Sequence, residues 1–98
     1  MDSAYILAAE DDDFTREMVD TILGTTGIKF DLAVDGEDAV AKFKGKGGAY
    51  TLIFLDLQMP KKDGFGAAKD IRALEGSSGW KKAKIYGLSA GTIFTLIF

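Results

Sequence analysis

Cysteine is absent from the 98 residues, which excludes a disulfide framework, a thiol nucleophile and a thiolate metal site. Histidine is absent as well, so His-based acid–base catalysis and His-ligated zinc are excluded and chemistry is left to carboxylates, hydroxyls and lysine. Long apolar runs are lacking: no stretch approaches the roughly 20 residues of a membrane span. Met1-Asp2-Ser3-Ala4-Tyr5 carries no basic leader segment, so a cytoplasmic location with no membrane association is expected. A positive excess is missing too. The net charge of −3 and a pI near 4.8 argue against a nucleic-acid partner, which needs clustered Lys and Arg on one face. The densest basic stretch, Lys42-Phe43-Lys44-Gly45-Lys46, falls where a helix should end and complements the helix dipole there.

What the sequence does contain is an alternation of apolar strands and amphipathic helices. Hydrophobic residues make up 47 %, enough at this length for one core and one domain. Tyr5-Ile6-Leu7-Ala8-Ala9 is a continuous apolar run that breaks into Glu10-Asp11-Asp12-Asp13, the pattern of a strand buried on both faces. Phe14, Met18 and Ile22, with Val19 and Leu23 beside them, repeat at helical spacing behind an Asp12 or Asp13 N-cap, and Gly24 or Gly27 stops the segment. Lys29 to Val34 alternates polar and apolar residues, as a strand exposed on one face or lying at a sheet edge does. Asp35 caps a helix with Ala39, Val40 and Phe43 inward, and Thr51 to Leu55 forms the next buried strand. A third helix is predicted from about Gly64 to Leu74, followed by a flexible Gly76-Ser77-Ser78-Gly79 loop and a strand from Ala83 to Leu88. The order βαβαβαβ predicts a parallel sheet flanked by helices, because parallel neighbours need right-handed crossovers.

The stretch that concentrates chemistry is Leu55-Asp56-Leu57-Gln58-Met59-Pro60 with Asp63-Gly64 behind it. It sets one carboxylate where an apolar strand gives way to a loop, the place where open α/β sheets bind ligands. The chain's single proline and the Asp-Gly pair then stop the strand and start a new element. If the strand ending in Glu10-Asp11 and the strand ending in Asp56 are neighbours, three carboxylates converge in one crevice. They repel and raise each other's pKa values unless a cation sits among them, and a hard divalent ion such as Mg²⁺ suits an all-oxygen site. A carboxylate beside Mg²⁺ can attack phosphorus and become an aspartyl phosphate. The plainer alternatives are an N-cap with a solvated turn for the acidic run and a turn-initiating residue for Asp56.

Ile6-Leu7-Ala8-Ala9-Glu10-Asp11-Asp12, Ala33-Val34-Asp35-Gly36, the Asp56 block and Leu88-Ser89-Ala90 together resemble the receiver domain of two-component response regulators, in a style similar to receivers attached to hybrid histidine kinases. The resemblance implies an α/β, flavodoxin-like three-layer sandwich with parallel sheet order 2-1-3-4. It implies Asp56 as phosphoacceptor, and Mg²⁺ held by Glu10, Asp11, Asp56 and the backbone carbonyl of Gln58. The partner it implies is a histidine kinase or phosphotransfer protein that donates the phosphoryl group. Ser89 becomes the switch hydroxyl, where spacing alone reads as a strand-end hydroxyl satisfying a local backbone group. The chain is then a self-phosphorylating signalling domain, not an enzyme turning over a substrate.

The resemblance also implies a fourth helix, a fifth strand ending in Lys and a last helix after Ser89-Ala90, whereas here Gly91 to Phe98 follows and no lysine comes after Lys84. Residues 1–90 are expected to form an incomplete receiver and 91–98 an apolar tail outside the family. A parallel fifth strand needs a crossover of about a dozen residues, and only Ser89 to Thr92 separate Leu88 from Ile93. The tail is therefore expected to pair antiparallel as a hairpin or with another chain, giving a dimer or larger homo-oligomer, with disorder disfavoured by its aggregation-prone composition. Lys61 and Lys62 are expected to point to solvent rather than replace the missing cation. A receiver-like binding module that no longer switches, or a truncated product without signalling output, is the alternative. An aspartyl phosphatase fits less well because Gln58 stands where an acid–base Asp is wanted. A nucleotide loop at Gly45 to Gly48 fails on its pattern.

Overall fold

The computed structural model describes residues 4–89 and 92–95, with Ser89 and the last four as backbone only. Eight elements follow in order: β1 Tyr5–Ala9, α1 Asp13–Gly24, β2 Lys29–Ala33, α2 Gly36–Gly45, β3 Leu52–Asp56, α3 Gly64–Ser78, β4 Lys84–Ser89 and β5 Thr92–Thr95. The strands form one sheet of order β2-β1-β3-β4-β5, in which β1 to β4 are parallel and β5 runs antiparallel to β4. The expected order 2-1-3-4 is present, and the tail takes the antiparallel alternative over Thr92–Thr95; residues 96–98 lie outside the described residues. The chain steps from β1 outward to β2, then back across to β3 and β4. Right-handed crossovers on such a path place α1 on one face and α2 with α3 on the other, which makes three layers.

The apolar run of β1 is buried at all five positions because it lies between β2 and β3, covered on both faces. On β3 burial alternates, with Ile53 and Leu55 packed into the core and Leu52, Phe54 and Asp56 half-buried on the other side. Phe43 and Ala39 of α2 and Ala67, Ala68 and Ile71 of α3 join Ile53 and Leu55 in that core, and the alanines let the two helices approach closely. The lysine-rich end of α2 carries Lys42 and Lys44 in its last turn, as the dipole favours.

Two expectations change. The helix α3 runs to Ser78 instead of yielding to a loop at Gly76, and Gly79 ends it at φ 69°. Glu75 is the cause: 2 % exposed, it accepts the Ala83 amide at 2.7 Å and pairs with Arg72 at 2.6 Å, so the last turn is locked to the start of β4. Second, α1 is capped by Asp12 and ends at Gly24 as expected, yet it buries no residue. Phe14, Met18 and Ile22 are 71, 48 and 60 % exposed, while Thr15, Val19 and Leu23 are the half-buried face. The helix touches the sheet mainly along the edge strand β2, so the longer of its two apolar stripes faces outward.

Glu75→Ala leaves Arg72 and the Ala83 amide without their partner and is expected to destabilise the protein by about 3 kcal/mol. Met18→Ser on the outward stripe should change stability by less than about 0.5 kcal/mol in the same urea unfolding series.

Candidate acidic site at the strand ends

The register of the two central strands builds the site. Ala9 pairs with Leu55, so the next residues, Glu10 and Asp56, emerge side by side at the carboxyl ends of β1 and β3. Each of Glu10, Asp11 and Asp56 has a carboxylate oxygen within 4.8 Å of the others'. Glu10 and Asp56 are half-buried and Asp11 is exposed, so the cluster is open to solvent. A cavity of about 670 Å³, lined by Gly48, Tyr50, Leu52, Lys81, Lys82 and Lys84, sits at the opposite end of the sheet and has no part in the cluster.

Local hydrogen bonds hold each carboxylate. Glu10 Oε2 accepts the Asp12 amide at 3.0 Å, and Asp12 in turn caps α1 by accepting from the Thr15 amide at 2.8 Å. Asp56 Oδ1 accepts the Gln58 amide at 3.0 Å, which folds the loop after β3 back over its own carboxylate. Leu57 donates its amide to the Leu88 carbonyl at 2.9 Å, tying that loop to β4. A Cβ on Gly64 would stand 2.6 Å from the Asp56 carbonyl oxygen, so only glycine lets α3 start this close to the strand end.

The electrostatics follow from burial and crowding together. Glu10 is pushed up to about 7, first by burial and further by the neighbouring Asp56 and Asp11 carboxyls, against a lowering contribution from the Asp12 amide. An array of acceptors with one proton held this tightly suits an oxygen-seeking cation.

Of the residues singled out in the sequence, Glu10, Asp11 and Asp56 converge, and Gln58 is bonded to Asp56 through its amide. Ser89 follows Leu88, the partner of Asp56 in the ladder, so its backbone is at the same end; its side chain lies outside the described residues. Lys61 is 67 % exposed, as expected, with its ammonium 3.8 Å from Asp35, the N-cap of α2, whereas Lys62 is 32 % exposed and pairs with Asp70 on α3 at 2.6 Å.

Sequence reasoning passed over Arg16, whose guanidinium donates to the Glu10 carbonyl at 3.0 Å and the Asp11 carbonyl at 3.4 Å while pairing with Asp13 at 2.5 Å. Its position three residues after Asp13 was the available signal. Gly36 was seen as part of a motif but given no role.

The sequence matches the response regulator receiver domain over residues 6–92. The chain belongs to that family. The receiver is 36 % identical over 89 residues to the peroxide stress-activated histidine kinase mak1 of Schizosaccharomyces pombe, covering 90 % of this chain and 5 % of that protein. It superimposes on the co-crystal structure of the Saccharomyces cerevisiae phosphotransfer protein Ypd1 with the receiver domain of Ssk1 at a TM-score of 0.80 and 33 % identity, covering 90 % of this chain and 64 % of that one. The CheX-CheY-BeF₃-Mg²⁺ complex from Borrelia burgdorferi matches at 0.76 and 30 %, covering 89 and 62 %. The receiver thus spans a small part of the curated kinase it resembles and about two thirds of these solved chains.

Glu10 also sets a pH dependence. In the folded, cation-free receiver it holds its proton up to about pH 7, against 4.5 ordinarily. Its contribution to stability is therefore complete below pH 4.5 and is lost as pH rises through 7. Denaturation in a chelator is expected to show stability falling across that window, with the dependence flattened in Glu10→Gln.

Proposed function

We propose that this receiver is the phosphoacceptor of a two-component phosphorelay, taking a phosphoryl group from a histidine kinase or phosphotransfer protein onto Asp56 in a reaction dependent on Mg²⁺. The convergence of Glu10, Asp11 and Asp56 carries the reading. Glu10, Asp11, Asp56 and the Gln58 backbone carbonyl would hold Mg²⁺, and the ion when bound would neutralise charge on the transferring phosphoryl oxygens. The residues fit such an ion: all are oxygen donors, and burial, with the Asp56 and Asp11 carboxyls beside it, raises Glu10 to about 7.

An Asp56 carboxylate oxygen attacks phosphorus, an O–P bond forms as the donor's N–P bond breaks, and the imidazole nitrogen leaves with the electron pair. The amide of Gln58 fixes the second carboxylate oxygen, so one oxygen is oriented and the other is left for attack. Ser89, at the end of β4, serves as the switch hydroxyl. Phe14, Met18 and Ile22 begin four residues past Glu10, so an apolar stripe borders the crevice and suits a protein donor better than a small molecule. The reading includes a cytoplasmic location, no nucleic-acid or membrane partner, and no turnover of a substrate; among the described residues no helix is long and apolar enough to cross a membrane.

With Mg²⁺ and a small acyl phosphate, the protein is expected to gain the mass of one phosphoryl group. Asp56→Asn should abolish the gain, and Glu10→Gln/Asp11→Asn should slow it by about 100-fold or more. No gain where an intact receiver reacts would favour a binding module that no longer switches.

Among the described residues β5 ends the sheet, with no strand paired to its outer side. This supports a homo-oligomer formed through the C-terminal segment 91–98 by edge pairing. Light scattering at micromolar concentration should return at least twice the 10.5 kDa chain mass, and a monomer would exclude it.

A further inference from the structure

Gly36 begins α2, a helix that contributes no carboxylate to the acidic cluster, yet its Cα lies hard against the loop that leaves Asp56. A Cβ there would stand 1.9 Å from the Lys62 carbonyl oxygen, 2.6 Å from its carbonyl carbon and 2.9 Å from its Cβ. Gly36 is not among the glycines with positive φ, so a side chain is barred by contact rather than by backbone conformation. The obstruction is main chain, which cannot swing aside as the tip of a side chain can.

The same junction is held from both sides. Asp35, 7 % exposed, caps α2 by accepting the Asp38 amide at 2.8 Å and faces Lys61 Nζ at 3.8 Å. Lys61 takes the left-handed φ of 67°, uncommon for a residue with a side chain, and Lys62 Nζ reaches Asp70 on α3 at 2.6 Å. At its other end this loop carries Gln58, whose amide is on Asp56, and Met59, which is buried. From Gln58 to Lys62 there are too few residues to absorb a displacement without moving both ends.

We propose that Gly36 is a positioning residue for the phosphoacceptor site: the first turn of α2 is the stop against which the β3–α3 loop is set, and it thereby places the Gln58 carbonyl for the divalent cation. The inference rests on the Mg²⁺-dependent reading above. A methyl group at this position moves the Lys62 carbonyl away and the loop with it, leaving Glu10 and Asp11 on β1 where they are. The site then loses a ligand from one side while the fold persists.

The test compares Mg²⁺ binding by calorimetry in the parent and in Gly36→Ala, with thermal unfolding to confirm that the variant is folded. Affinity is expected to fall by about 10-fold, the scale on which residues behind metal ligands act, and acyl-phosphate labelling of Asp56 should slow with it. A folded variant whose affinity stays within about two-fold of the parent would overturn the role of Gly36. A parent that binds no Mg²⁺ would overturn the phosphoacceptor reading and the inference together. If Gly36→Ala does not fold, amide hydrogen exchange in the parent decides. Coupling is reciprocal, so Mg²⁺ should slow exchange at the Asp38 and Ala39 amides, which bond to Asp35 in the first turn of α2. Protection confined to the β1–α1 and β3–α3 loops would refute the coupling.

Discussion

Everything at the functional end of this molecule depends on the pairing of β1 with β3 in a register that brings Glu10 abreast of Asp56. Holding carboxylates that close is unfavourable, and the protein offsets it with amides: Asp12 donates to Glu10, Gln58 to Asp56. Burial first, and then the remaining repulsion, raises the Glu10 carboxyl to about 7. A site built this way is costly as a structural element, since folding brings like charges together. The buried run of β1 and the apolar positions of β3 supply the hydrophobic energy against which this electrostatic cost is set.

Much of the framework was legible from residues 5 to 88. Continuous apolar runs mark the covered strands, alternation marks β2 as exposed on one face or at an edge, an acidic cap at Asp12 or Asp13 and another at Asp35 mark two helix starts, and Asp63-Gly64 marks the start of a new element. Those signals are local, and they agree with the fold. What escaped was set by contacts distant in sequence. The end of α3 is held by Glu75 through an amide eight residues on, which composition at Gly76 to Gly79 argued against. The orientation of α1 depends on which neighbour covers it, and periodicity is equally satisfied by the stripe through Phe14 and the stripe through Val19.

The candidate site divides along the same line. The three carboxylates could be found because strand ends and strand order follow from pattern. Arg16 and Gly36 could not be given roles, because each acts on a backbone carbonyl that belongs to another turn or another element. Of the two lysines after Pro60, Lys62 pairs with a carboxylate on α3, and Lys61 stays mostly exposed near the Asp35 cap of α2. At the tail, chain length ruled out a parallel neighbour for β4, and the antiparallel strand observed over Thr92–Thr95 is the solution that so short a connection permits.

The two ends of the sheet differ in one further respect. Glu10, Asp11, Asp12, Asp13, Asp56 and Asp63 crowd the carboxyl ends of the strands, while Lys81, Lys82 and Lys84 ring the cavity at the amino ends. Charge separated along the strand axis gives the molecule a permanent dipole moment, so an approaching charged surface exerts a torque on it before any contact is made. A partner carrying positive charge around its own reactive group would meet this protein crevice-first more often than chance orientation allows. That alignment would weaken as salt shortens the range of the field to within about 10 Å.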